Sequence, residues 1–258
     1  MRVQLLPSSF EENGGASTKQ HLTCILVDDR IAFDAGSLAM ASSMLQKRKV
    51  RDVVLSHAHL DHIAGLPLFV DDLFSTLTEP IRIHATSEVI EILERDIFNW
   101  SVYPRFSELF NQNGPVMMYL PFKPGVEFRV GHLSTRAIPV NHKVPSCGFI
   151  VSDGFKTFAM SGDTAAMDDF WHAVNEASDL SAVLVECAFP NELQELAAAS
   201  HHLTPSGLMN ELAKCERSDC TFYVVNLKPA YREQTIEQID ALNIENLKLL
   251  EVGRVYEW

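Results

Sequence analysis

Apolar positions fall mostly in short runs separated by polar turns. Val3–Leu6 and Leu22–Val27 read as strands flanking a loop that contains Gly14 and Gly15, and Ile31–Phe33 reads as a third strand, ended by Asp34-Ala35-Gly36. Leu38, Ala41 and Leu45 recur at helical spacing, which predicts a helix from Ser37 to about Lys49. Val53-Val54-Leu55 has the composition of a buried strand. Further strands are predicted at 81–84, 126–130, 134–140, 149–152, 157–160, 182–185 and 222–225, and helices at 87–99, 165–177, 205–214 and 232–242. Strands cluster in both halves with helices between them. That predicts sheet layers covered by helices, not one alternating series of parallel units. No repeat or low-complexity linker marks a boundary, so residues 1–258 are expected to form one domain.

Composition narrows the class. Hydrophobic residues make up 47% and charged residues 21%, values of a soluble globular chain that exclude disorder or a collagen-like repeat. The formal net charge of −13 argues against sequence-independent nucleic-acid binding and against anionic membranes. A small phosphorylated substrate still fits, provided a local cation such as a metal receives it. The basic group Lys47, Arg48, Lys49 and Arg51 sits where cations favourably close a helix. Five cysteines, an odd set without CxxC spacing, suit a reducing compartment. No secretory leader or uninterrupted apolar span is visible, so the expected location is cytoplasmic. GxSxG, GxxxxGK[ST] and GxGxxG are all missing, so serine-hydrolase, P-loop and dinucleotide readings lack support.

The chemistry concentrates in Ser56-His57-Ala58-His59-Leu60-Asp61-His62, directly after a predicted strand. On extended chain His57 and His59 point to one side. Asp61 and His62 follow as the chain turns into a helix. Nitrogen ligands with a carboxylate suit zinc, iron or manganese better than calcium or magnesium. Building such a cluster as mere core would require a buried partner for every imidazole.

HxHxDH is the signature of the metallo-β-lactamase superfamily, which the chain resembles well beyond this motif. Val140-Asn141-His142 matches the superfamily's later histidine, and Ser161-Gly162-Asp163-Thr164 its bridging aspartate. The resemblance implies a four-layer αβ/βα sandwich, an α/β fold with two mixed sheets flanked by helices. It also implies two divalent metal ions, zinc first and iron or manganese as alternatives. His57, His59 and His142 would hold one ion, Asp61 and His62 the other, and Asp163 both. Asp61 is also carried as a catalytic candidate. Asp34 matches a position that braces the ligand loops. Asn226 stands where the family has its last histidine, and an amide oxygen is a weaker ligand than imidazole.

Val185-Glu186-Cys187 and His201-His202-Leu203-Thr204-Pro205 resemble the phosphodiesterase branch. By that match Glu186 orients His202, which protonates the leaving oxygen, while His201 is an exposed neighbour. Thr204 and Pro205 also read as a helix N-cap followed by proline at the first turn. Residues 59–66, 96–104, His202-Leu203-Thr204-Pro205 and Leu227-Lys228-Pro229 resemble class II cyclic-nucleotide phosphodiesterases. The activity implied is hydrolysis of 3′,5′-cyclic nucleotides such as cAMP to 5′-nucleotides through metal-activated water. The partner implied is a small nucleotide, with neither membrane nor non-specific nucleic acid, and a homodimer is a further expectation. Alternatives are a tRNA 3′-processing-like or other phosphodiester hydrolase, or a metal- or nucleotide-binding homologue weakened at Asn226. Phe98, Trp100 and Tyr103 fit either helix-end core or a purine-stacking face.

Overall fold

The computed structural model describes residues 1–258. The chain clusters into two compact units, Met1–Lys123 with Val252–Glu257, and Pro124–Glu251 with Trp258.

The first unit holds a seven-stranded mixed sheet in the order Val255–Glu257, Arg2–Leu5, Ile25–Val27, Ile31–Phe33, Asp52–Val54, Ile81–Ala85, Met117–Pro121. Pairing is antiparallel through Ile31–Phe33 and parallel from there to Met117–Pro121. Phe33 is level with Val54 on the adjoining parallel strand, so Asp34 and the histidine loop leave the sheet side by side. The core includes Val53, Leu55, Ile83, Phe69 and Val70, all 0% exposed.

The second unit has its own seven-stranded mixed sheet. Its order is Leu247–Leu249, Thr221–Val225, Leu180–Glu186, Thr157–Met160, Cys147–Ser152, Leu133–Pro139, Glu127–Val130. The pairings from Thr157–Met160 to Leu247–Leu249 are parallel and the others antiparallel. Successive antiparallel pairings bring Leu133–Pro139 back into the direction of Thr157–Met160. The loops carrying His142, Asp163 and Asn226 therefore leave the same end of this sheet at which Glu186 closes its strand. The helix Asp169–Glu176 buries Phe170 and Trp171. The helix Pro205–Leu212 is capped as its sequence predicts, with Thr204 Oγ1 accepting from Gly207 N at 3.3 Å and proline in the first turn.

Both units match the expected α/β class with mixed sheets. Two expected helices differ. The 37–49 segment breaks into Leu38–Ala41 and Met44–Lys49. Ser42 Oγ bonds the Leu38 carbonyl, and Ser43 forms a capping box with Gln46, so serine side chains compete with the backbone and restart the helix. The restart changes the phase, leaving Leu45 61% exposed. The 87–99 segment is α-helical only over Ser87–Ile92 and widens into a π-turn over Leu93–Ile97, where Phe98 N donates to Leu93 O at 2.8 Å. Of the three aromatics beyond it, Phe98 is core at 0% exposure and Trp100 is 57% exposed at φ 67°. Tyr103 donates its hydroxyl to Asp71 at 3.3 Å. Phe98 therefore offers no stacking face.

The basic group closes its helix. Lys47 pairs with Asp72 at 2.7 Å, and Arg51 donates to the carbonyls of Val50 and Lys47 at 2.6 and 3.2 Å. All five cysteines are free thiols. No helix is long and apolar enough to cross a membrane.

Candidate functional site

In the first unit, a buried hydrogen-bond relay sets the histidine loop. The Asp34 carboxylate accepts from Ser56 N at 2.8 Å, from Ser56 Oγ at 3.0 and 2.8 Å, and from His62 Nδ1 at 2.7 Å. A carboxylate only accepts, so the proton of that last bond sits on His62 Nδ1. Ser56 gives its hydroxyl proton to Asp34, so His57 Nδ1, 2.9 Å from the Ser56 oxygen, is a donor as well. Both Nε2 atoms are buried. With acceptors behind both Nδ1 atoms, Nε2 is the atom through which His57 and His62 could ligate a metal, since metal-binding imidazoles are commonly oriented this way.

The His57 and His59 ring centroids are 4.7 Å apart, and those of His57 and His62 are 4.1 Å apart. Asp61 Oδ2 lies 3.9 Å from His62 Nε2. The HxHxDH loop thus brings its donors together within its own unit. Asp34 has φ 59°, in the left-handed region that aspartate tolerates better than most residues. Backbone bonds lock this turn to the helix after the loop: Ala35 N donates to His62 O at 2.7 Å, and Gly65 N to Ala35 O at 3.0 Å. A Cβ on Gly65 would come within 2.5 Å of the Ala35 carbonyl oxygen, so glycine permits this approach.

The second unit gathers its own group. His142, Asp163 and His202 each offer a ligand atom, all within 4.8 Å of one another. His142 Nδ1 donates to the His201 carbonyl at 3.1 Å, so Nε2 is the atom through which it could ligate a metal. His201, expected to be a bystander, acts through that carbonyl and is itself held by a 2.9 Å bond between its Nδ1 and Asn141 Oδ1. It caps the helix Gln194–Ser200 in the left-handed conformation at φ 57°.

Glu186, the last residue of its strand, is 0% exposed. It accepts from His202 Nδ1 at 2.6 Å, from Thr164 N at 2.9 Å and from Leu203 N at 3.1 Å. Burial raises the Glu186 carboxyl, against the pull of the His202 charge. Burial would lower the His202 imidazole, but Glu186, through its charge and hydrogen bond, together with Asp163, holds it above its ordinary value. Cys187 is a buried thiol pushed well up by burial.

Asn226 follows its strand at φ 61°. Its Nδ2 donates to Asp163 Oδ1 at 2.8 Å, and its Oδ1 accepts from Lys228 Nζ at 3.2 Å. The amide oxygen, the atom expected to ligate, faces an ammonium. Ser56, Asn141, Thr164 and Lys228 carry no role in the sequence reading. Only their adjacency to the motif residues hints at one.

The two mixed sheets and their helices define a metallo-β-lactamase fold. The crystal structure of unliganded yeast PDE1 matches with a TM-score of 0.75 at 16% identity, covering 98% of this chain and 97% of that one. The metallo-β-lactamase fold protein YhfI from Bacillus subtilis matches with a TM-score of 0.73 at 16% identity, covering 99% of each chain. The chain belongs to the β-lactamase superfamily domain family, which matches over residues 29–222. A probable 3′,5′-cyclic-nucleotide phosphodiesterase of Yersinia pestis is 28% identical over 207 residues, 72% of this chain and 58% of that protein. A 3′,5′-cyclic-nucleotide phosphodiesterase of Aliivibrio fischeri is 30% identical over 190 residues, 67% of this chain and 55% of that protein. A nuclear ribonuclease Z of Triticum aestivum is 30% identical over 140 residues, 53% of this chain and 72% of that protein. The chain thus spans little more than half the length of the two phosphodiesterases.

Proposed function

We propose that this chain is a metal-dependent phosphodiesterase that hydrolyses a 3′,5′-cyclic nucleotide to the 5′-nucleotide. The observation that carries the reading is the 2.6 Å bond between His202 Nδ1 and buried Glu186, beside the His142 and Asp163 donors. The residues proposed to hold the divalent metal are His57, His59, Asp61, His62, His142 and Asp163. Anchored imidazoles with carboxylates fit zinc, and also iron or manganese. A divalent ion held by such a set supplies Lewis acidity, neutralising phosphate charge and acidifying water at neutral pH.

The chain's own residues do the rest. Glu186 fixes the His202 ring through Nδ1 and favours its charged form, so Nε2 carries a proton to give. A water oxygen bonds to phosphorus and the bond to the 3′ oxygen breaks. That oxygen takes the His202 Nε2 proton, and the proton lost by water restores the imidazolium. Support for a small substrate comes from the two phosphodiesterase relatives and from the net charge of −13, which disfavours a polyanion. The wheat ribonuclease Z relative favours a second reading, cleavage at an RNA 3′ end.

The test is a substrate panel of 3′,5′-cyclic nucleotides, bis(p-nitrophenyl) phosphate and precursor tRNA, with products separated by chromatography. Formation of 5′-nucleotide, abolished by chelator and restored by metal, is expected. Exclusive cleavage of precursor tRNA would favour the second reading. Tight cyclic-nucleotide binding without turnover, in metal-loaded protein, would identify a binding homologue instead.

A further inference from the structure

At the end of the strand Thr221–Val225, Lys228, Asn226 and Asp163 form a chain of hydrogen bonds. Lys228 Nζ donates to Asn226 Oδ1 at 3.2 Å, and Asn226 Nδ2 donates to Asp163 Oδ1 at 2.8 Å. The orientation of the amide is dictated by its neighbours. Turned over, it would set its oxygen against the Asp163 carboxylate and its NH₂ against an ammonium, two repulsive contacts in place of two attractive ones. To ligate a metal, Asn226 would have to make that turn. The backbone offers little help, because φ 61° and the adjoining 3.1 Å bond from Cys187 N to Val225 O hold the residue at the strand end.

Resting on the metallohydrolase reading above, we infer that Asn226 is a positioning donor and not a metal ligand, and that this chain retains a single divalent ion. Asn226 engages one oxygen of Asp163. The Lys228 ammonium, coupled through the amide, supplies positive charge where the family's last histidine would help retain a second ion. Asp163 then serves as a ligand to one ion and not as a bridge between two.

The experiment is elemental analysis of the full chain, loaded with excess zinc and then dialysed, for the wild type, Asn226→His and Lys228→Met. Circular dichroism confirms that each variant is folded. Histidine tolerates the left-handed backbone at position 226 better than most residues do. The wild type should retain about one ion per chain and Asn226→His about two, since imidazole is the stronger ligand. Lys228→Met removes the ammonium, one of the two contacts that fix the amide, and with it a like charge beside the second-ion position. With that repulsion gone it should bind a second ion roughly tenfold more tightly than the wild type does, read by titration. Two ions retained by the wild type would overturn the inference while leaving the metallohydrolase reading standing, and no ion retained would sink both. One ion in a folded Asn226→His variant would show that Asn226 does not set the count.

Discussion

Replacing Asp34 by asparagine separates the stability of the histidine loop from its ability to bind metal. In the native structure Asp34 accepts every bond it makes, which forces the His62 proton onto Nδ1. Asparagine has nearly the same shape and also tolerates the backbone at φ 59°. Its oxygen can still accept from Ser56 N. Its NH₂, in the place of Oδ2, becomes a donor 2.7 Å from His62 Nδ1. The relay can then close only with His62 in the other tautomer, its proton on Nε2, the atom proposed to hold the metal. Recovering that atom means breaking the new bond, and losing an orienting carboxylate of this kind costs about 10–100-fold in metal affinity, or roughly 1.4–2.7 kcal/mol.

Stability should respond differently. Asp34→Asn remakes the buried bonds and should lose about 1 kcal/mol or less. Asp34→Ala leaves the Ser56 amide, the Ser56 hydroxyl and the His62 imidazole with unmet donors at about 1–3 kcal/mol each, or roughly 3–9 kcal/mol together. Urea unfolding of chelator-treated protein measures the stability, and competition with a fluorescent zinc chelator measures the metal affinity. An Asn variant that binds zinc as tightly as the wild type would refute the tautomer argument. One that unfolds as readily as the Ala variant would refute the claim that the relay can re-form.

Substituting His202 by alanine should cut turnover of a cyclic nucleotide by roughly 10²–10⁴-fold if it supplies the leaving-group proton; steady-state kinetics with unchanged rates would remove it from the mechanism. Asp52, buried in the first unit, is pushed up by burial but held down to about 2 overall by hydrogen bonds and charge from Arg82 and His84. Because its folded value lies below the unfolded one, its contribution is complete above about pH 4 and fades as pH falls toward 2. Urea midpoints of wild type and Asp52→Asn should therefore converge over that interval, and a gap that widens with acid would contradict the assignment. Cys215 is lowered to about 7, first by its hydrogen bond with Cys220, while burial pushes Cys24 and Cys187 well up. Iodoacetamide at neutral pH should label Cys215 first, and mass spectrometry finding Cys24 or Cys187 modified in folded protein would count against this.

Short-range pattern was legible from sequence alone. Strand positions such as Thr157–Met160, the Thr204 cap and the clustering of the HxHxDH donors follow from chain neighbours and fixed periodicities, which need no knowledge of distant residues. Even locally, the Ser42-Ser43 break runs against the apolar period, because side chains that bond their own backbone compete with the continuous helix that period favours. What the sequence withheld was direction: which nitrogen of each histidine points outward, and which end of Asn226 faces Asp163. His62 takes its orientation from Asp34, 28 residues away, and His142 from the carbonyl of His201, 59 residues away. Asn226 is turned by a lysine two positions on and an aspartate 63 positions back. Hydrogen bonds have steep distance and angular requirements, so residue type sets which partners are allowed and only the folded backbone chooses among them.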